Sequence, residues 1–186
     1  MPPMLSFKYG DLFRGKFRFL NNFTEGFLIA GKKKQSISIA DKQIVLVGEL
    51  QKLDLGSLFS YGLFEAQGTG NFVIKDLLVQ ETNLSNLSLL KTRFSSYRTK
   101  DGIEYKFVNE DLSGILLVPK EDDKNLSFNF DFIRIKQTST GSKDAFLSLY
   151  NSIEYEFNFS SDEIFFNDKN YGNWEFSIIP GINQLT

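Results

Sequence analysis

Apolar and polar residues alternate with a period of two along most of this 186-residue chain. From Phe13 to Phe19, every second residue is Phe or Gly, and each residue between them is Arg or Lys. Segments 153–159 and 174–178 alternate aromatic or aliphatic residues with polar ones in the same way. Successive side chains of a β-strand point to opposite faces of the sheet. These segments are therefore predicted to be strands with one buried face.

Two segments depart from simple alternation, and each departure predicts a local structure. Residues 44–47 read Ile-Val-Leu-Val, which predicts a central strand that is buried on both faces. Within 126–135, the apolar set changes phase at Phe132 and Ile133. A one-residue phase change inside a strand predicts a β-bulge.

Turn residues separate the predicted strands, and helix signals are few. Lys100-Asp101-Gly102 between apolar flanks predicts a hairpin. Residues 142–153 have helical spacing with Ser142 as N-cap and are the best helix candidate, ahead of 54–61. Residues 84–97 share the spacing but are rich in Ser and Thr, which disfavours a helix.

These patterns predict an all-β fold, an antiparallel sandwich or barrel of about ten short strands with one or two short helices. No Pro-rich or Gly/Ser-rich linker divides the chain, so residues 1–186 are expected to form a single β domain. Residues 1–12 contain Pro2-Pro3 and no helix signal. They are expected to form an ordered N-terminal arm that lies on another subunit.

Composition removes several classes of chemistry. The chain has no His and no Cys, which excludes imidazole bases, Cys nucleophiles, disulfides and thiolate metal sites. Glu154 and Glu156 share a predicted strand face and are the candidate pair for a carboxylate hydrolase, yet alternating acids usually only solvate a strand. Gly68-Thr69-Gly70 lacks the rest of a phosphate-binding loop and is interpreted as a turn. We therefore expect no enzymatic activity, no cofactor and no metal.

Charge is distributed unevenly along the chain. Residues 1–34 carry seven Lys or Arg against two acids, whereas residues 101–186 carry seven against fifteen. The two regions are expected to complement each other, either within one fold or between the opposite ends of neighbouring copies.

The basic N-terminal region also holds many aromatic residues. The candidate interaction residues are Phe7, Tyr9, Arg14, Lys16, Arg18, Lys32, Lys33 and Lys34. Single-stranded nucleic acid is bound by aromatic stacking together with cations on one exposed face. A strand would place the Phe and the Arg or Lys residues on opposite faces, so nucleic acid is an unexpected partner.

The favoured hypothesis is a non-enzymatic structural subunit of a larger assembly, such as a virion or a phage tail. Its contacts with other protein subunits would use termini, edge strands and charge complementarity. The first alternative is a barrel whose interior, lined by some of the twenty Phe residues, binds an apolar small molecule. The second is an OB-like binder of single-stranded nucleic acid.

No apolar run approaches the ~20 residues of a membrane-spanning helix. We therefore expect a soluble chain that is made in the cytoplasm and incorporated into a particle.

Overall fold

The computed structural model describes residues 2–32, 37, 39, 42–54, 72–84, 87–120, 125–135 and 156–179. Within these residues the regular structure consists of strands, joined into one sheet of 12 strands. The strands are β1 (Met4–Tyr9), β2 (Phe13–Leu20), β3 (Phe23–Ala30), β4 (Ile44–Asp54), β5 (Phe72–Leu84), β6 (Leu87–Arg98), β7 (Gly102–Val108), β8 (Leu112–Pro119), β9 (Leu126–Ile135), β10 (Phe157–Phe166), β11 (Lys169–Asn170) and β12 (Trp174–Ile178).

The strands follow one another across the sheet in chain order, except that β11 and β12 both pair with β10. The predicted all-β fold class is confirmed, and most neighbouring strands are antiparallel. Three junctions, β3–β4, β4–β5 and β9–β10, are parallel, which the sequence analysis did not anticipate. A parallel pair needs a long crossover connection, and residues 31–43, 55–71 and 136–156 supply these three connections.

Two of the three helix candidates fall almost entirely outside the described residues. Residues 142–153 are not described, and of 54–61 only Asp54 is, as the last residue of β4. Of the segment 84–97, the described residues 84 and 87–97 belong to β5 and β6, as its Ser and Thr content indicated. Residues 4–9 of the expected N-terminal arm form β1, which pairs along its full length with β2.

The predicted central strand is β4, which is parallel to both of its neighbours. Leu46 packs on one face of the sheet with Ala30 and Leu77. Val45 and Val47 pack on the other face, where Ile37 of the 31–43 connection covers them. Burial on both faces confirms the prediction from the unbroken apolar run at 44–47.

The predicted bulge lies in β9. The register between β8 and β9 shifts at Ser113 and Gly114, which oppose Phe132 and Phe130, so Asp131 is the extra residue. The Ser113 hydroxyl donates a hydrogen bond of 2.6 Å to the Asp131 carboxylate. The bulge explains why Phe130 and Phe132 point to opposite faces of the sheet.

One row of cross-strand partners crosses the whole sheet from β1 to β12. Its members are Tyr9, Phe13, Ala30, Gly48, Leu77, Phe94, Phe107, Gly114, Phe130, Ser161 and Trp174. We call the side of the sheet on which this row points the Phe-bearing face. The row begins and ends on an aromatic residue at an edge strand.

Glycines in the strands make room for aromatic rings on the Phe-bearing face. Gly114 lies between Phe107 and Phe130, whose ring centroids are 5.6 Å apart. A Cβ atom on Gly114 would lie 2.8 Å from Cδ1 of Phe130. Large rings can therefore meet above a bare backbone position, an arrangement also used to protect strand glycines in designed sheets.

Candidate interaction surface

The first edge of the sheet is β1, which exposes an apolar strip on the Phe-bearing face. Leu5, Phe7 and Tyr9 of β1 stand opposite Phe17, Gly15 and Phe13 of β2. The Phe7 ring stacks on Phe17 with centroids 5.7 Å apart. Leu5 remains 50% exposed and Tyr9 68% exposed, so this strip is only partly covered.

The opposite face of the same two strands is basic. Lys8 pairs with Arg14, Ser6 with Lys16 and Met4 with Arg18 across the β1–β2 ladder. Cations and aromatic rings therefore lie on opposite sides of the sheet, as the alternation predicted. A stacking platform for single-stranded nucleic acid needs both on one side, and β1 and β2 do not provide one.

Arg18 is partnered by a carboxylate that the sequence analysis did not single out. Glu25 of β3 is 4% exposed and accepts a 2.9 Å contact from the Arg18 guanidinium. The backbone N–H of Lys42 donates to its other oxygen at 3.1 Å. Glu25 is one of only two acids among residues 1–34 and stands opposite Arg18 in the β2–β3 register, which is the sequence signal that could have identified it.

A cleft of about 250 Å³ lies at the turn between β1 and β2. It brings Arg14 and Lys32 of the predicted set together with Lys8 and Asp11. Lys32 Nζ lies 3.3 Å from an Asp11 carboxylate oxygen, so one cation in the cleft is paired. Lys33 and Lys34 lie outside the described residues.

The other end of the sheet, formed by β10 and β12, carries a second apolar strip. Trp174, Phe176 and Ile178 of β12 lie on the Phe-bearing face, and Trp174 is 49% exposed. Phe176 stacks on Phe159 with ring centroids 4.5 Å apart, and Phe159 contacts Phe130 at 5.4 Å. The alternation along 174–178 predicted this strand, and none of its residues was among the predicted interaction residues.

The second end is acidic where the first is basic. Its exposed acids are Glu156, Asp162, Glu163, Asp168 and Glu175, beside one cation in β11, Lys169. Glu175 pairs with Ser160 and lies on the face opposite Trp174, which is also the face that carries Lys8 on β1. Among the described residues, an excess of basic charge at the β1–β2 edge therefore faces an excess of acidic charge at the opposite edge of the sheet.

Among the described residues, no cluster of three or more acidic side chains is placed to hold a metal ion. Glu154 and residues 68–70, named as catalytic and phosphate-binding candidates, lie outside that part of the chain. In the same part of the chain, no helix has the length and apolar character to cross a membrane.

Comparisons with protein-family models, curated proteins and solved structures gave no match to this chain.

Proposed function

We propose that this chain is a non-enzymatic structural subunit that binds other protein subunits through the two edges of its sheet. The observation that carries the proposal is the exposure of aromatic and aliphatic side chains at both ends of the sheet. Leu5 and Tyr9 mark one end and Trp174 the other, each about half exposed or more. Soluble monomers rarely expose large contiguous apolar patches, which more often mark contact surfaces.

Within the described part of the chain, the edge strands also bring unpaired backbone groups to these ends. The N–H of Phe19 donates to the carbonyl of Pro3. Because hydrogen-bonded pairs alternate in an antiparallel ladder, Leu5, Phe7 and Tyr9 direct their backbone groups toward β2. The backbone groups of Met4, Ser6 and Lys8 then point outward, where an added strand finds its partners.

As part of the proposal, the chain is made as a soluble protein in the cytoplasm and is then incorporated into a particle. Sedimentation velocity of the purified chain at micromolar concentration tests the assembly, together with size fractionation of an extract of the cells that make it. A species larger than the monomer in either sample supports the proposal. Monomer alone in both samples contradicts it.

A further inference from the structure

We infer that copies of this chain join head to tail, with β12 of one copy pairing antiparallel to β1 of the next. This inference rests on the function proposed above, and it specifies the partner as a second copy of the same chain. It is carried by three independent features of the two edges, which are strand direction, side-chain pattern and charge.

Strand direction comes from the sheet topology. Successive strands reverse direction except at the parallel junctions β3–β4, β4–β5 and β9–β10, so β1 and β12 run in opposite directions. If a second copy continues the sheet with its Phe-bearing face on the same side, its β1 is antiparallel to β12 of the first. Antiparallel pairing is slightly more stable per residue than parallel pairing, and it forms here without turning the second copy over.

The side-chain pattern selects a register. Tyr9 and Trp174 end the same cross-strand row, so extending that row places Trp174 of one copy opposite Tyr9 of the next. The same register places Phe176 opposite Phe7 and Ile178 opposite Leu5. Aromatic and aliphatic cross-strand neighbours stabilise a sheet, and here they form one apolar strip that continues from copy to copy.

Charge complements the apolar strip on the opposite face. In this register Lys8 stands opposite Glu175, and Ser6 stands opposite Ser177. Behind them, Arg14 and Lys16 lie on one copy and the uncharged Ser160 and Asn158 on the other, so Lys8 and Glu175 carry the attraction between the two strands. A symmetric β1–β1 contact would instead bring Lys8 and the cations of β2 together, which repels. Charge therefore favours head-to-tail contact, and such contacts build rings or open filaments.

The absence of cysteine allows a cross-link to test the register directly. Ser6→Cys and Ser177→Cys are made as separate variants, one of them isotope-labelled, mixed and oxidised. Opposite residues of paired strands have Cα atoms about 4.5–5.5 Å apart, within the range of a disulfide. We expect a disulfide-linked dimer with one labelled and one unlabelled chain. In the control, Asn22→Cys is mixed with Ser177→Cys in place of Ser6→Cys. Asn22 lies in an exposed turn between β2 and β3, so this mixture should give no more than random cross-linking.

A second variant removes the contact instead of trapping it. Ser6→Pro deletes an outward N–H and leaves the β1–β2 hydrogen bonds in place, which edge strands tolerate. Its dissociation constant for self-association should rise at least about tenfold over that of Ser6→Ala, which keeps the N–H. Circular dichroism and melting confirm that both fold. If Ser6→Pro melts early, Met4→Pro deletes the neighbouring outward donor.

The outcomes separate this inference from the function on which it rests. Linked dimers in Ser6→Cys alone would show a β1–β1 contact and overturn the inference. A chain that carries both Ser6→Cys and Ser177→Cys is oxidised as well, and a linked monomer as its sole product would show a closed single-chain sheet and overturn the inference. Purified monomer beside a large species in the cell extract would overturn self-pairing while leaving the subunit function standing. Monomer in every sample would overturn both.

Discussion

The centre of the sheet and its two ends use the same aromatic and aliphatic residues to different effect. Leu77 and Phe94, near the middle of the cross-strand row, are buried, whereas Tyr9 and Trp174 at its ends are largely exposed. The pattern of alternation is the same in both places. The difference lies in what surrounds the strands. Among the described residues, β4 and β5 have paired strands on both sides and share a cluster of apolar side chains with their neighbours, whereas β1 and β12 have a paired strand on one side only.

An apolar residue in a strand can therefore either stabilise the fold or contact another subunit, and its position in the sheet distinguishes the two roles. Burial of a large apolar side chain contributes about 1.5–3 kcal/mol to folding. Residues at the centre have already made that contribution in the single chain. Residues at the ends retain part of it for association with another subunit.

The largest contrast is expected from truncating one leucine in each region. Leu77→Ala removes a side chain that is 2% exposed and should cost about 2–5 kcal/mol of unfolding free energy, because it leaves a cavity in the core. Leu5→Ala, at a position that is 50% exposed, should change the stability of the monomer by less than about 0.5 kcal/mol. Chemical denaturation in dilute solution measures both, and similar costs for the two variants would contradict the contrast between centre and ends.

The second prediction concerns the contribution of Glu25 to the stability of the basic end of the sheet. Glu25→Gln removes the charge from a buried carboxylate that holds Arg18 of β2 and the backbone before β4. We expect a loss of about 2 kcal/mol, the usual worth of a buried hydrogen bond to a charged group. Glu81→Gln is the matched control, because its pair with Lys52 is largely solvated and should contribute at most about 1 kcal/mol.

Hydrogen exchange of β1 and β2 gives an independent measure of the same effect. Faster exchange confined to these strands in Glu25→Gln would show that the buried pair fastens this end of the sheet. An unchanged exchange pattern, together with unchanged stability, would mean that the pair contributes nothing to the attachment.

The alternation of residues predicted most strands because one buried face imposes a period of two on the sequence. It also located the bulge near Phe132 and the doubly buried strand at 44–47, where the pattern itself is broken. It did not reveal that β3, β4 and β5 are parallel, because direction depends on how the connections cross the sheet. The alternation also does not give the position of a strand in the sheet. Phe7 and Tyr9 were therefore predicted as contact residues, but Trp174 was not. Only the assembled sheet shows that β12 is an edge and that it shares a row with β1.

A third prediction compares two glycines that lie beneath aromatic rings. A Cβ atom on Gly114 would lie 2.7 Å from the backbone oxygen of Asn129 and 3.0 Å from Cα of Phe130, neither of which can move freely. Gly114→Ala should therefore destabilise the protein by about 1–3 kcal/mol through overpacking. At Gly15 the nearest atom belongs to the Phe7 ring of the edge strand, which can swing away. The nearest backbone atom there, the oxygen of Phe27, is 3.0 Å from the Cβ position against 2.7 Å at Gly114, so Gly15→Ala should cost less. Equal costs in thermal or chemical unfolding would show that the edge is packed as rigidly as the centre.

The smallest expected effect concerns a tyrosine at the centre of the sheet and appears only at high pH. Burial raises the pKa of Tyr105 above 10.0, and nearby Arg98 opposes this in part. Above pH 10 the unfolded chain therefore loses the Tyr105 proton before the folded chain does, so stability falls as pH rises from there toward the folded pKa. Tyr105→Phe, which has no phenolic proton to lose, should lose less stability than wild type as the pH rises above 10. If the stability of wild type and of Tyr105→Phe, measured by chemical denaturation, depends on pH in the same way, burial does not raise the pKa of Tyr105 and the prediction is wrong.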